Sequence, residues 1–136
     1  MRTTLIIAAI VLAACSIPQP LLVAVDIEIT KPMPGRSMSA GYMDLMSNTA
    51  RAITITHVTS PQFGSVEIHE TTTEDGVARM RKLDNLVVDP MTTVTLERGG
   101  KHLMLMKAKD LKSSVTLNFY SGDELILTVD YKFPAE

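Results

Sequence analysis

Cysteine is nearly absent from this 136-residue chain, and tryptophan is wholly absent. The single cysteine is Cys15, so the residues that follow it contain no thiol. They therefore exclude a disulfide framework, a thiolate zinc site and a cysteine nucleophile. They also exclude a blue-copper electron-transfer site, because that site requires a cysteine thiolate.

Aromatic residues are also scarce, and the chain has no excess of positive charge. Aromatics make up 4% of the chain and the formal net charge is −2, so we expect no nucleic-acid binding by phosphate neutralisation or base stacking. The sequence shows no Ser/His/Asp arrangement, no paired-carboxylate motif and no phosphate-binding loop, so we expect no enzyme. Methionine, in contrast, is abundant at 9 residues.

The first fifteen residues read "MRTTLIIAAIVLAAC". Their apolar run is too short for a permanent membrane span, and it predicts a signal peptide over residues 1–14. "LAAC" resembles the lipobox of bacterial lipoproteins, which implies a lipidated Cys15 at the start of a tether over residues 15–20. The resemblance implies a periplasmic protein that touches the envelope membrane only through its lipid anchor, and Ser16 resembles the residue that favours the outer membrane. A signal peptide that contains Cys15 without lipidation is the alternative.

Alternating apolar and polar residues run through the rest of the chain, residues 21–136. Examples are "LLVAVDIEIT", "ARAITITHVTS", "TTVTLERGG" and "SSVTLNFYSGDELILTVDYKF". Gly, Pro, Asn and Asp separate these stretches at regular intervals, as they do between short strands. The pattern predicts one all-β domain of about eight or nine strands, an antiparallel Greek-key sandwich or barrel.

The stretch "KHLMLMK" combines core-forming and metal-binding residue types. In a strand, Leu103 and Leu105 lie on one face, while His102, Met104 and Met106 lie on the other. We expect the leucine face to join the core. On the other face, soft ligands and ordinary packing remain alternatives, and for Met106 we expect packing.

Two further residues extend this pattern. His69, Met80, His102 and Met104 follow the spacing H-x10-M-x21-H-x-M. The spacing and its flanks, "VEIHET", "GVARM" and "GGKHLMLM", resemble the copper-binding signature of the periplasmic copper chaperone family that serves the CuA centre of cytochrome c oxidase. The resemblance covers roughly residues 35–133. It implies a cupredoxin-like fold, these four residues as copper ligands, and subunit II of the oxidase or another copper acceptor as the partner.

The residue types suit this chemistry independently of the resemblance. Cu(I) is a soft ion that favours thioether and imidazole ligands. Thioethers do not form disulfides, so they suit an oxidising compartment. We therefore predict a Cu(I)-binding metallochaperone; the alternative is an envelope β-sandwich module for adhesion or assembly that binds no metal.

The number of loop residues in the hairpin that contains "EDG" decides whether His69 and Met80 can share a face. A two-residue loop, Asp75-Gly76, would place them diagonally on one face, and a four-residue loop would place them directly opposite. A loop with an odd number of residues would separate them unless a bulge intervened. We therefore predict an even loop or a bulge.

Five other candidate ligands lie outside the four-residue signature. His57 is expected to be structural or exposed. A loose methionine-rich segment is expected to fill core and loop positions, with a second copper site or a docking surface as alternatives. That segment contains Met33, Met38, Met43 and Met46.

Overall fold

The computed structural model of the chain describes residues 18–135. The predictions of a signal peptide over residues 1–14 and of a lipidated Cys15 followed by Ser16 lie outside the described residues. Within them the chain forms eleven strands and no helix, and accordingly no helix that is long and apolar enough to cross a membrane. The strands are β1 (Leu22–Ile29), β2 (Ser39–Ser47), β3 (Ile53–Ile55), β4 (His57–Thr59), β5 (Phe63–Glu74), β6 (Val77–Leu83), β7 (Leu86–Val88), β8 (Thr93–Leu96), β9 (Lys101–Ala108), β10 (Ser114–Ser121) and β11 (Glu124–Lys132).

Nine of the strands form one antiparallel sheet in the order β1-β2-β9-β5-β4-β10-β11, with β6 beside β5 and β8 beside β2. The two ends of this series, β1 and β11, come into contact, so the sheet curls into a nearly closed barrel. Strands β3 and β7 form a separate two-stranded sheet. The strands β2, β9 and β5 are neighbours in the sheet but not in sequence, so long-range connections of the Greek-key kind join them. The predicted all-β antiparallel class is confirmed.

The strand count exceeds the expected eight or nine because one predicted strand divides and because the short strand β7 was not predicted. The stretch "ARAITITHVTS" alternates throughout, but β3 pairs with β7 while β4 pairs with β5 and β10. Thr56 lies between the two short strands, and its backbone N–H donates to the Tyr120 carbonyl at 2.8 Å. The change of partner at Thr56 is set by distant strands, so local alternation carries no signal for it.

The core consists of the apolar faces that the barrel encloses. Leu103 and Leu105 on β9 are fully buried, as the sequence predicts for that face. Each fully buried side chain of this size contributes about 1.5–3 kcal/mol relative to exposure. The other fully buried side chains include Phe63, Phe119, Leu22, Leu45, Ile55, Val88, Val115 and Leu117.

Candidate metal site

The hairpin of β5 and β6 places His69 and Met80 on the same face. Glu74 pairs with Val77, which leaves Asp75 and Gly76 as a two-residue loop, both at positive φ. Those dihedrals fit the I′ turn that favours Asp-Gly. Since His69 pairs with Lys82, and Met80 lies two residues before Lys82, the predicted even loop is confirmed.

Strand β9 brings the other two candidates to this face, because β5 and β9 pair directly. His69 lies opposite His102, and Glu67 lies opposite Met104. Side chains two residues apart on a strand share a face. All four predicted ligands therefore lie on one face of the β6-β5-β9 segment.

The two imidazole rings are the most closely associated pair. The ring centroids of His69 and His102 are 5.9 Å apart, and the ring planes are inclined at 48°. Two imidazoles that point at one metal ion, each with a nitrogen about 2.1 Å away, have centroids roughly 5 to 6.5 Å apart. The observed separation of the rings therefore fits a shared ion.

His102 is held by the backbone of its own strand. The side chain is buried, and its Nδ1 lies 3.1 Å from the Gly100 carbonyl oxygen. A carbonyl only accepts, so Nδ1 carries the hydrogen and Nε2 carries the lone pair in the neutral ring. A hydrogen bond from the ring nitrogen that does not face the metal fixes the tautomer and the orientation of a metal-binding histidine.

His69 is held by a carboxylate instead. Its Nε2 donates to the Glu67 carboxylate at 2.8 Å, and the same carboxylate accepts from Lys82 at 3.1 Å. Hydrogen bonds from His69 and then Lys82 hold the pKa of the Glu67 carboxyl below its ordinary value. In the neutral ring the lone pair is then on Nδ1, which is buried and has no hydrogen-bond partner among the described residues. A buried acceptor without a partner costs free energy that a bound cation would offset.

The two methionines differ in exposure. Met104 is partly buried beside His102, whereas Met80 is 53% exposed on β6, which pairs only with β5. Residues 18–135 contain no group of three or more His, Cys, Asp or Glu side chains that could hold a metal ion. The candidate centre therefore combines two imidazoles, one partly buried thioether and one exposed thioether.

The two residues that were not expected to be ligands, His57 and Met106, lie in different places. His57 is exposed and stacks on Tyr120, with ring centroids 4.6 Å apart and planes within 2°. Met106 lies opposite Ser65, further along the same face as Met104. The exposed, stacked His57 agrees with the structural or exposed role expected for it, whereas the packing role of Met106 stays a prediction.

The methionine-rich segment divides into core and surface. Met43 is buried, in agreement with its expected packing role. Met33 and Met38, in contrast, are 68% and 49% exposed. These two line a groove of about 430 Å³ that Met104 also lines, so part of the segment lies next to the candidate site.

Glu67 and Gly100 are the contacts that the sequence analysis missed. Each lies two residues before the histidine that it holds. The period of two that grouped His102 with Met104 also places Glu67 on the face of His69. Applied in the other direction along β5, it would have identified the carboxylate.

Residues 22–131 match the model of a family described as "Putative lipoprotein LpqE-like". The chain belongs to this family. As a member of the LpqE-like family, it is 31% identical over 104 residues to Putative lipoprotein Lxx21020 of Leifsonia xyli subsp. xyli, and 31% identical over 93 residues to the uncharacterized protein RP573 of Rickettsia prowazekii. These matches cover 72% and 68% of the chain but only 63% and 48% of the two relatives.

Solved structures with the same fold include domains that carry the name PCuAC. A copper-bound PCuAC domain from PmoF2 superposes with a TM-score of 0.68 at 18% identity, over 85% of this chain and 94% of that domain. Apo-DR1885 from Deinococcus radiodurans superposes with a TM-score of 0.59 at 27% identity, over 97% of this chain and 92% of that one. This LpqE-like protein therefore has a PCuAC-like, cupredoxin-like fold.

Proposed function

We propose that this LpqE-like protein binds one Cu(I) through His69, Met80, His102 and Met104 and acts as a copper chaperone in the bacterial envelope. The observation that carries the proposal is the state of the two imidazoles. One nitrogen of each ring is tied by a hydrogen bond, and the buried Nδ1 of His69 has no partner among the described residues. Each neutral ring is thus held with a lone pair available to a metal ion.

The four residues contribute differently to holding and to releasing the ion. His69 and His102 are positioned by hydrogen bonds, so they form the fixed part of the site. Met104 adds a thioether from the same strand face as His102. Met80 lies exposed on a strand outside the main series of the sheet, so it is the ligand that a partner's ligand can displace first.

The charge of the site also suits transfer. Methionine carries no charge, and neutral histidine carries none, so the bound ion keeps its own positive charge. Glu67 lies beside His69 but also pairs with Lys82, which limits how much it stabilises a cation. A soft but weakly charged site binds Cu(I) selectively and still exchanges it.

The comparisons support copper as the ion, since a copper-bound PCuAC domain shares the fold. We further propose that Cys15 carries a lipid anchor, which the lipoprotein family supports, and that Ser16 directs the protein to the outer membrane. The proposed recipient is the CuA site on subunit II of cytochrome c oxidase or another copper acceptor in the periplasm. The protein then acts by binding and transfer and not as an enzyme.

The test is an anaerobic competition titration of the purified protein with Cu(I). We expect one Cu(I) per chain, with about two sulfur and two nitrogen ligands by X-ray absorption. Met→Leu substitution keeps apolar volume and removes the sulfur, so Met80→Leu and Met104→Leu each weaken binding. Met91→Leu is the matched control, because Met91 is 70% exposed and lies on the connection between β7 and β8.

Two outcomes would contradict the proposal. The first is failure of the unaltered protein to bind a stoichiometric Cu(I). The second is an affinity that the double change Met80→Leu plus Met104→Leu leaves equal to that of Met91→Leu. Either result would favour the alternative envelope module that binds no metal.

A further inference from the structure

Positive charge is concentrated at one end of the barrel. The β1–β2 connection and the β9–β10 connection meet there, since the Ala108 backbone N–H donates to the Ser37 carbonyl at 2.9 Å. Residues 30–38 and 109–113 together contain Lys31, Arg36, Lys109 and Lys112 but only one acidic residue, Asp110. We call these two connections together the basic end.

The opposite end of the barrel is not basic. The connections at residues 48–52, 89–92 and 122–123 contain Asp89, Asp123 and one basic residue, Arg51. The whole chain has a formal net charge of −2. The positive potential of the basic end is therefore local, and it arises from the way the fold distributes charge.

Two grooves open at the basic end and share Lys31 and Arg36. The first, of about 430 Å³, reaches Met104. The second, of about 500 Å³, extends over Lys109 and Lys112. Because they share two lining residues, the grooves form one continuous surface that begins at a candidate copper ligand.

The first groove adds adaptable apolar contacts to this charge. Met33 and Met38 project from its rim, and both are largely exposed. Exposed methionines suit surfaces that repack around a partner, because the side chain is flexible and polarisable. A third cation in the groove, Arg98, pairs with Glu28 and stacks on the Tyr42 ring at 4.7 Å, so it contributes shape more than net charge.

We propose that the basic end, next to Met104, docks an acidic segment of the protein that exchanges Cu(I) with this one. Charge complementarity selects an acidic occupant, and the groove leads that occupant to the candidate copper site. The identity of the partner as a copper-exchange protein rests on the function proposed above. The acidic character of the docked segment rests only on the charges and grooves.

The position of the basic end favours a protein as its binding partner over the membrane that the proposed Cys15 anchor would enter. The chain enters the barrel at Leu22, and β1 runs eight residues from there to Ile29, just before Lys31. Eight strand residues span roughly 26 Å. The basic end therefore lies at the far end of the domain from the tether.

A binding experiment tests the docking surface without copper. The probe is a fluorescently labelled poly-L-glutamate of about 20 residues, measured by anisotropy at low and at physiological salt, since such contacts are screened. Arg36→Glu is expected to weaken binding roughly tenfold. Arg51→Glu changes the net charge by the same amount at the opposite end, so it should have little effect.

A transfer experiment tests the partner's role. The rate of Cu(I) transfer is compared between two synthetic acceptor peptides, each with two cysteines, flanked by glutamates in one and by lysines in the other. At low salt the acidic acceptor should be faster by about tenfold or more through electrostatic steering. Arg36→Glu should remove this preference, and Arg51→Glu should keep it.

The outcomes separate the two proposals. If poly-glutamate does not bind, or if Arg36→Glu and Arg51→Glu weaken it equally, the docking surface is refuted. Binding to phosphatidylglycerol vesicles that depends on Arg36, without binding to poly-glutamate, also refutes it and assigns the surface to a membrane. If poly-glutamate binds as expected but the protein takes up no Cu(I), the copper function fails while the acidic docking surface stands.

Discussion

Two carboxylates on β5, Glu67 and Glu70, lie on opposite faces of the same strand and show what distinguishes those faces. Glu70 accepts from Arg81 at 2.8 Å and pairs with Lys101 at 3.1 Å. Glu67 accepts from Lys82 and from His69. Both carboxyl groups have pKa values below the ordinary value, because cationic or polar donors stabilise their charged forms.

The two carboxylate clusters differ in whether their hydrogen-bond donors also have an acceptor atom. Arginine and lysine donate hydrogen bonds and have no acceptor atom in their charged forms, so the Glu70 cluster is complete in itself. A neutral histidine that donates through Nε2 still has a lone pair on Nδ1. The same arrangement of a carboxylate between donors therefore leaves no free acceptor among the donors on one face of β5 and an unpaired buried nitrogen on the other.

The largest loss of Cu(I) affinity should come from removing an imidazole. His102→Ala deletes one proposed ligand, so it should weaken Cu(I) binding by more than the ~10–100-fold that is lost when a group that only orients a ligand is removed. His57→Ala is the matched control, since His57 stacks on Tyr120 away from the site. Competition titration gives both affinities, and circular dichroism shows that each variant retains its β structure. Equal affinities in the two variants would mean that His102 is not a ligand.

A smaller effect is expected from the carboxylates themselves. Glu67→Ala removes the acceptor that orients His69, and should weaken Cu(I) binding by about 10–100-fold. Glu70→Ala removes a carboxylate from the opposite face of the same strand and should leave the affinity nearly unchanged. Glu67→Gln keeps an acceptor oxygen without the charge, so its affinity should fall between the other two.

Two results from these glutamate variants would contradict the prediction. If Glu67→Ala binds Cu(I) as tightly as Glu70→Ala does, the hydrogen bond to His69 is not part of the site. If Glu67→Ala binds more tightly, the carboxylate competes with the ion for the imidazole and does not support its binding.

The local parts of this architecture could be predicted from sequence. Alternation separates Leu103 and Leu105 from His102 and Met104, because a strand points successive side chains to opposite faces. The Asp75-Gly76 turn fixes the register of the β5–β6 hairpin, because those residues accept positive φ. Both features depend on neighbours in sequence, and both are confirmed.

The long-range parts could not be predicted in the same way. Strand β9 lies between β2 and β5, and only that placement brings His102 opposite His69. Without the resemblance to a known signature, nothing local to "HLMLM" specifies its neighbours. The basic end likewise depends on two connections that are distant in sequence and meet at one end of the barrel.

The smallest effect should come from Glu70 and concerns stability in the metal-free protein. The pKa of its carboxyl group is held below the ordinary value in the folded chain, first by the hydrogen bond from Arg81 and then by that from Lys101. A lowered pKa means that the charged form stabilises the fold above the unfolded-state pKa, and that this contribution disappears as pH falls through the folded-state value. Glu70→Gln should therefore reduce the urea midpoint slightly at pH 7, and this difference should shrink as the pH falls through the folded-state pKa of Glu70. Glu124→Gln, at the β10–β11 turn, is the control. A Glu70 difference that stays constant over the whole acid range would show that packing, and not charge, is what Glu70 contributes.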